Sequence, residues 1–500
     1  MAIQYIKIEP LTPVYIGGAE EKNWQKNIDV FQENGKLYYV PDDKIAPYIS
    51  DKELQFIING DTEGYNEALK RKKVNFEELA LYTWDCPNKI SQNEIKAFIR
   101  NGNGSPFIPG SSVKGAITSH LFKLLHQGKS IRTSDVEDTS EKQLKNIAGF
   151  LQCTDSYFAE DATAVVPTKI FNLQKGERPG VFAGGWKHKN NTNNDFNTRF
   201  VTVYEVLSAN TSGYGRIKLV DDENYTFRGK TVREREKKLK FWNGSESVTE
   251  LFQLINKQTG EHLKKEHAFY EKYEAEYNEK LIESIASLQE QVHSADLQTA
   301  VLRIGGGSGF HSITGDYRHD SYEINNIFKK RGQLNREKSA KSRKVVFEHD
   351  EGGYQFSPLG FIKLTAITAK EYQEGINGFE ERKAQRQAEI EQRQEKVAQQ
   401  RKEQHLQEEA AREAARKAAL EPEWKDFNAL KQGDIIDAEV LRSEGMRVVV
   451  KLFIRNYKLE HDFRFPAGKE KGKMIKVDIK NFEGKGDNKK IQAIGYKGDK

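Results

Sequence analysis

Cysteine is almost missing from this chain: two in 500 residues, Cys86 and Cys153, with no paired spacing. That argues against a disulfide framework and a thiolate zinc site. Long apolar runs are missing too. No stretch approaches the roughly 18 apolar residues of a membrane span, and the opening "MAIQYIKIEP" has no hydrophobic signal core. A cytoplasmic protein without a membrane partner is therefore expected. Nucleotide-cradling loops are a third absence. "GSSVKG" lacks the G-K-[ST] ending, and "GGGSGF" puts Phe310 where the last glycine of G-x-G-x-x-G belongs. No cofactor is expected.

What the chain has in plenty is charge. Charged residues make up 31% and hydrophobic ones 37%, and the length calls for roughly two to four domains. Net charge is unevenly placed. Residues 422–500 hold 18 Lys and Arg against 13 Asp and Glu, the same surplus of +5 as the whole chain. A basic C-terminal module on a neutral body suits contact with a polyanion, or is simply a solvated lysine-rich surface.

Composition divides the chain further. Residues 370–421 are nearly all Glu, Gln, Arg, Lys and Ala, and Ile390, Val397, Leu406 and Leu420 are too sparse for a heptad seam. A charged helical linker held by i,i+4 pairs is expected, spanning about 1.5 Å per residue. In residues 422–500 the alternation of Ile436, Ala438 and Val440, and of Met446, Val448, Val450, Leu452 and Ile454, predicts short strands. Further strand-like runs at 473–482 and 490–496 make this module resemble an OB or S1-like barrel. Phe453, Tyr457, Phe463 and Phe465 interleave with Arg455, Lys458 and Arg464, the mixture that grips single-stranded nucleic acid. Some of those aromatics are expected in the core instead.

The body, residues 1–369, predicts a strand ending in Gly17 and Gly18 and a hairpin turning at Asn34 and Gly35. A helix is expected from about Asp42. A long amphipathic helix over 262–292 carries Phe269, Tyr273, Tyr277, Leu281, Ile285, Leu288 and Val292 on one stripe. Strands and helices alternate without βαβ regularity, so the fold class is α+β.

The most informative stretch is "FIPGSSVKGAITSHLFKLL", residues 107–125. Gly110, Ser111, Ser112, Lys114 and Gly115 open a helix whose apolar stripe begins at Val113. A helix N-terminus presents unpaired N–H groups and partial positive charge. Ser111 or Ser112 can cap it, glycine lets another backbone approach, and Lys114 adds full charge. That is a phosphate seat reading no base, or a serine-capped helix that only packs.

Four pieces in order carry a family resemblance: "TPVYIGG", "NGKLYYVPDDKI", "FIPGSSVKGAI" and "LRIGGGSGFHSITGD", closed by "SPLGFIKL" at 357–364. They resemble RAMP-superfamily proteins of type III CRISPR effectors, and among these the fifth-subunit family of the type III-A (Csm) complex. The resemblance covers about residues 1–369. It implies two ferredoxin-like (RRM-like) domains, 1–175 and 176–369, and a non-catalytic subunit near the 3′ end of the guide RNA. Guide RNA (crRNA) and other RAMP subunits would be its partners. It departs from the family at Thr118, where a basic residue is common, and in "AKSRK", which lacks a proline. The resemblance also implies phosphate contact by Gly110, Ser111, Ser112, Lys114 and Gly115. Gly17, Gly18, Arg303, Gly305, Gly306, Gly307, Ser308, Gly309 and Arg343 would join them. The linker 370–421 and the module 422–500 lie outside the family pattern; the module could hold the guide's 3′ tail or dock a trimming nuclease.

Catalytic alternatives come from the same superfamily. A transcript-processing endoribonuclease would need a general acid/base histidine, and His120 is the first in the chain; its place on the apolar stripe also fits a structural role. Asp29, Asp42 and Asp43 are the carboxylates a metal-dependent cutter would use, though they form no recognisable metal pattern. "HSITGDYRHD" gathers His311, Asp316, His319 and Asp320 and could bind a divalent ion, or face RNA through Arg318 and His319.

Overall fold

A computed structural model describes the chain apart from residues 1, 19–22, 126–149, 176–180, 220–246, 310–341, 445–446, 458–459, 465–470 and 485–487. Two compact units emerge, residues 1–394 and 395–500.

The first unit is built on two sheets, one wholly antiparallel and one mixed. One has Thr299–Arg303, Phe361–Ile367, Ala2–Pro10, Gly213–Leu219, Ser156–Tyr157 and Phe107–Ile108 as successive neighbours, with Leu151–Cys153 also on Gly213–Leu219. The other runs Thr192–Asn193, Trp186–Lys187, Thr163–Asn172, Thr202–Leu207, Glu94–Lys96 and Trp24–Gln25. Ser342–Asp350 joins it by pairing with both Thr163–Asn172 and Gly353–Pro358. Each sheet draws strands from both sides of residue 175. The expected hairpin is present: Val30–Glu33 pairs with Lys36–Tyr39 across Asn34 and Gly35, both at positive φ as a two-residue turn requires. A short helix begins at Asp42.

Helices cover one face of each sheet. Helix α1 (Gly110–Leu125) buries Val113, Ile117 and Leu121, spaced by four, against Ile6, Ile8, Ile108 and Ile217 of the first sheet. Helix α2 (Ser247–Lys272) serves both cores. Its first half puts Leu251, Phe252 and Ile255 under the first sheet; its second half puts Leu263, Phe269 and Tyr270 under the second. Helix α3 (Asn278–His293) adds Leu281, Ile285 and Leu288 to that second core.

The single helix expected over 262–292 is thus two. The break falls at Tyr277, in the left-handed region at φ 61°, and the Asn278 side chain donates to the Tyr270 carbonyl at 2.6 Å, closing the end of α2. The apolar stripe repeats every four residues straight through the break, so periodicity could not show it.

Helix α4 (Ala369–Leu420) matches the charged block. Its first half is not a bare spacer. Tyr372 lies 4.7 Å from the Tyr5 ring, Gly375 faces the Tyr214 ring, and Phe379 and Ile390 are buried. Arg393 donates to the Glu77 carbonyl at 3.1 Å. No helix among the described residues is long and apolar enough to cross a membrane.

The second unit holds a five-stranded sheet in the order Glu460–Arg464, Arg447–Leu452, Ile435–Glu444, Met474–Glu483, Lys490–Asp499. Ile436, Ala438, Val440, Val448, Val450, Leu452, Ile475, Val477 and Ile479 form its core. The two edge strands share no ladder among the described residues, so the sheet is a half-barrel.

Between the two sheets of the first unit sits a buried ion pair. Arg343 Nε donates to Glu266 Oε2 of α2 at 2.7 Å, with the guanidinium 3.9 Å from the Phe269 ring centroid. Both residues are buried. Removing one charge of such a pair costs about 3–5 kcal/mol, whereas replacing both with apolar groups is close to neutral. Arg343→Met should therefore lower stability in chemical denaturation by about that amount, and adding Glu266→Leu should recover most of the loss.

Candidate RNA-backbone interface

The glycine loop follows directly from the strand Thr299–Arg303. Gly305, Gly307 and Gly309 have φ of 81°, 77° and 89°, which only glycine adopts readily. A side chain at Gly305 would drive into the Tyr15 carbonyl, and one at Gly307 would meet Leu359 Cδ1 at 2.6 Å. The Gly306 N–H donates to Tyr15 O at 2.7 Å, and the buried Ser308 hydroxyl closes the turn on Gly305 O at 2.7 Å. Gly17, two residues past Tyr15, bridges to Phe98, and no described residue lies within 4 Å of where a side chain on Gly18 would begin. Residues 15–18 and 305–309 therefore make one patch of closely stacked backbone.

A cation stands over that patch, but not the expected one. Arg343 is committed to Glu266 inside the protein, which removes it from the surface set. In a strand the next residue points to the other face. Lys344 accordingly reaches the loop: its Cδ lies 3.4 Å from where a side chain on Gly307 would begin, and its Nζ bonds the Tyr204 hydroxyl. Tyr204 meets Tyr15 edge-on at 4.4 Å. Burial, with Tyr204, Glu94 and Glu205 nearby, pushes the Tyr15 hydroxyl up to about 12, so it stays neutral at ordinary pH. Arg303 is also internal. Its Nε donates to Leu359 O at 2.8 Å, its guanidinium lies 5.0 Å from the Phe361 centroid, and burial lowers it to about 10. It shapes the loop from beneath.

The start of α1 is a second seat. Its first N–H, on Gly110, donates to the Asp155 carboxylate at 2.7 Å, so an anion already sits on this helix end, in place of the expected serine. Gly110 is required there, since a side chain would collide with the Cys153 carbonyl. Ser111 and Gly115 are exposed, and Ser112 and Lys114 half-buried. Lys114 is close enough to Cys153 to oppose the burial that raises its thiol to about 12.

The two seats are not one pocket. Phe107–Ile108 and Thr299–Arg303 are opposite edges of the first sheet, and Gly110 aligns with Gln4 whereas Arg303 aligns beyond Pro10. Seven or so residues of strand rise put them on the order of 20 Å apart. Between them run the backbone contacts from Ile99 to Ile16 and from Phe107 to Ile99.

Sequence comparison decides the family. A profile of the RAMP superfamily matches residues 7–310. The chain belongs to the RAMP superfamily. A curated relative of this RAMP chain, the "CRISPR system Cms protein Csm5" of Methanocaldococcus jannaschii, is 26% identical over 238 residues, 40% of this chain and 56% of the relative. The match thus spans about half the relative's length. Among solved structures, a chain of a Csm-crRNA-target RNA ternary complex of a type III-A CRISPR-Cas system aligns with TM-score 0.48 and 18% identity, covering 73% of this chain and all of that one. T. onnurineus Csm5 aligns with TM-score 0.44 and 14% identity, over 71% and 99%.

The catalytic candidates of this RAMP chain divide into paired, exposed and undescribed residues. His120 Nδ1 pairs with Gln258 Oε1 of α2 at 3.0 Å. Asp29 Oδ2 accepts from the Gln25 N–H at 2.6 Å, and burial raises its carboxyl. Asp42 and Asp43 are exposed on a single helical turn. No group of three or more His, Cys, Asp or Glu gathers among the described residues; "HSITGDYRHD" lies outside them. In the second unit Phe453 is buried and Tyr457 stacks on Phe427 at 4.1 Å, while the side chains of Lys458, Phe463, Arg464 and Phe465 lie outside the described set. Among the described residues the exposed aromatic is Trp424, edge-on to Phe453, which the alternation pattern could not single out.

The loop geometry makes a test. Gly305→Ala should cost about 1–3 kcal/mol, read as a lower Tm, because the methyl group meets the Tyr15 carbonyl. Gly18→Ala, in open space, should leave Tm unchanged.

Proposed function

We propose that this RAMP chain is a non-catalytic guide-RNA subunit of a type III-A CRISPR effector, capping the complex near the 3′ end of the guide and supporting guide maturation and antiviral defence. The observation that carries the reading is the pair of seats at opposite ends of one sheet. Each offers backbone and a lysine, Lys114 or Lys344, groups that hold a phosphate without reading a base. Their separation suits a polymer whose phosphates recur along its length and not a mononucleotide. The Csm5 relative supports the effector context, and other RAMP subunits are the neighbours we propose for it. Each sheet with its helices is read as one ferredoxin-like lobe, and the half-barrel of the second unit as an OB-like module on a helical arm.

The endoribonuclease reading is weaker, since His120 is held between two helices by Gln258. A histidine so engaged is a poor general base for an incoming strand.

Purification of the tagged chain from its host, with the bound RNA sequenced, tests the reading directly. Repeat-derived guide RNA together with co-purifying RAMP subunits is the expected result; RNA unrelated to CRISPR arrays, or none, sinks it. In vitro, Lys114→Ala should weaken binding of single-stranded RNA evenly across sequences and flatten the plot of log K against log salt by roughly 0.7, the share of one phosphate. An unchanged slope would take Lys114 out of the interface.

A further inference from the structure

Phe200 stands in a conformation that a large side chain rarely tolerates. Its φ is 54°, in the left-handed region, and its ring is 54% exposed. A bulky residue there stores strain that persists only where surrounding contacts over-determine it, and such places cluster at ligand clamps.

The surrounding contacts are unusually complete. Lys169, on a strand of the second sheet, is 1% exposed, and its ammonium is spent on the loop: Nζ bonds Asn197 Oδ1 at 3.1 Å and the Arg199 carbonyl. Asn197 Oδ1 also accepts the Arg199 N–H at 3.0 Å, and its amide nitrogen pairs with His188 Nδ1 at 2.6 Å. One residue earlier, Phe196 is driven into the second core, 5.1 Å from both the Trp186 and Phe347 rings. A buried lysine is costly unless its protons are engaged. Here the ammonium fixes the chain at Asn197 and at the Arg199 carbonyl, directly before Phe200.

A rigid loop tip is thus held out with an aromatic ring at its end. Its charge points to a polyanion. Lys187, Lys189 and Arg199 are exposed along residues 187–200, against Asp195 alone. An aromatic face beside a guanidinium is what a single-stranded nucleic acid needs, since every base has a π-face and every step a phosphate. A protein partner would find little apolar area around one ring flanked by lysines.

We propose that residues 188–200 are a preorganised base clamp, in which Phe200 stacks on an unpaired base of the bound strand and Arg199 takes a neighbouring phosphate. The clamp rests on the RNA-binding reading above but uses none of its residues.

The test uses the full chain and a fluorescein-labelled single-stranded oligoribonucleotide, with Kd read by anisotropy across a salt series. Phe200→Gly is the decisive variant. Glycine accepts φ 54° without strain, so Tm should hold or rise, while Kd should rise roughly ten-fold from the lost stack. Its salt slope should be unchanged. Phe200→Trp should bind at least as well as the parent, and its indole fluorescence should fall on adding RNA. Arg199→Gln should flatten the slope. If Phe200→Gly binds like the parent while Lys114→Ala is weakened, the clamp is overturned and the guide-binding reading survives; Phe200 then faces a protein. If the parent chain binds no RNA at all, the broader reading falls and the clamp with it.

Discussion

Glu266 sits where the two sheets of the first unit have to be held together, and the site geometry hangs from it. A carboxylate buried on α2 is tolerable only beside cations. Arg343 supplies one from the second sheet, and the charge of Arg303, at the end of a first-sheet strand, also acts on Glu266. Arg303 in turn holds the Leu359 carbonyl, and Leu359 packs beneath Gly307. A chain of contacts thus runs from a helix interior to the glycine loop. The arginines that looked like surface contacts are the frame on which the surface is mounted.

That frame explains why the cations left at the two seats are lysines. Arginine, planar and weakly hydrated, is the better partner for a buried carboxylate. Lysine, with its strongly hydrated ammonium on a flexible stem, is left at the half-buried positions. Lys344 leans on Tyr204 and Lys114 lies beside Cys153, so both are steadied without being consumed by an internal carboxylate. Asp155 on the first N–H of α1 satisfies that helix end in the free protein.

Much of the fold was legible because its signals are local. The hairpin at Asn34 and Gly35 follows from two residues that tolerate positive φ. The strands around Ile436 and Val448 follow from strict alternation, and α1 from Val113, Ile117 and Leu121. Other features lacked a local signal. The break at Tyr277 was hidden by an apolar stripe that continues across it. The docking of α4 rests on a few residues, Tyr372, Gly375, Phe379 and Ile390, lost in a helix of 52 residues made mostly of charged and polar residues and alanine. Lys344 could have been preferred to Arg343 only by knowing which face of their strand is buried.

The sequence by itself determined the residue types at each place: glycines where backbones must touch, a lysine at a helix start, β-alternation in the C-terminal module, and the family those pieces belong to. These depend on steric and periodic rules acting within a few residues. Tertiary structure alone decided which cations face outward, that the two seats lie at opposite ends of one sheet, and that Phe200 is held rigid and exposed by Lys169. Those are outcomes of burial. A buried charge finds its partner far along the chain, 77 residues away for Arg343 and Glu266, and no local pattern records which one it will be.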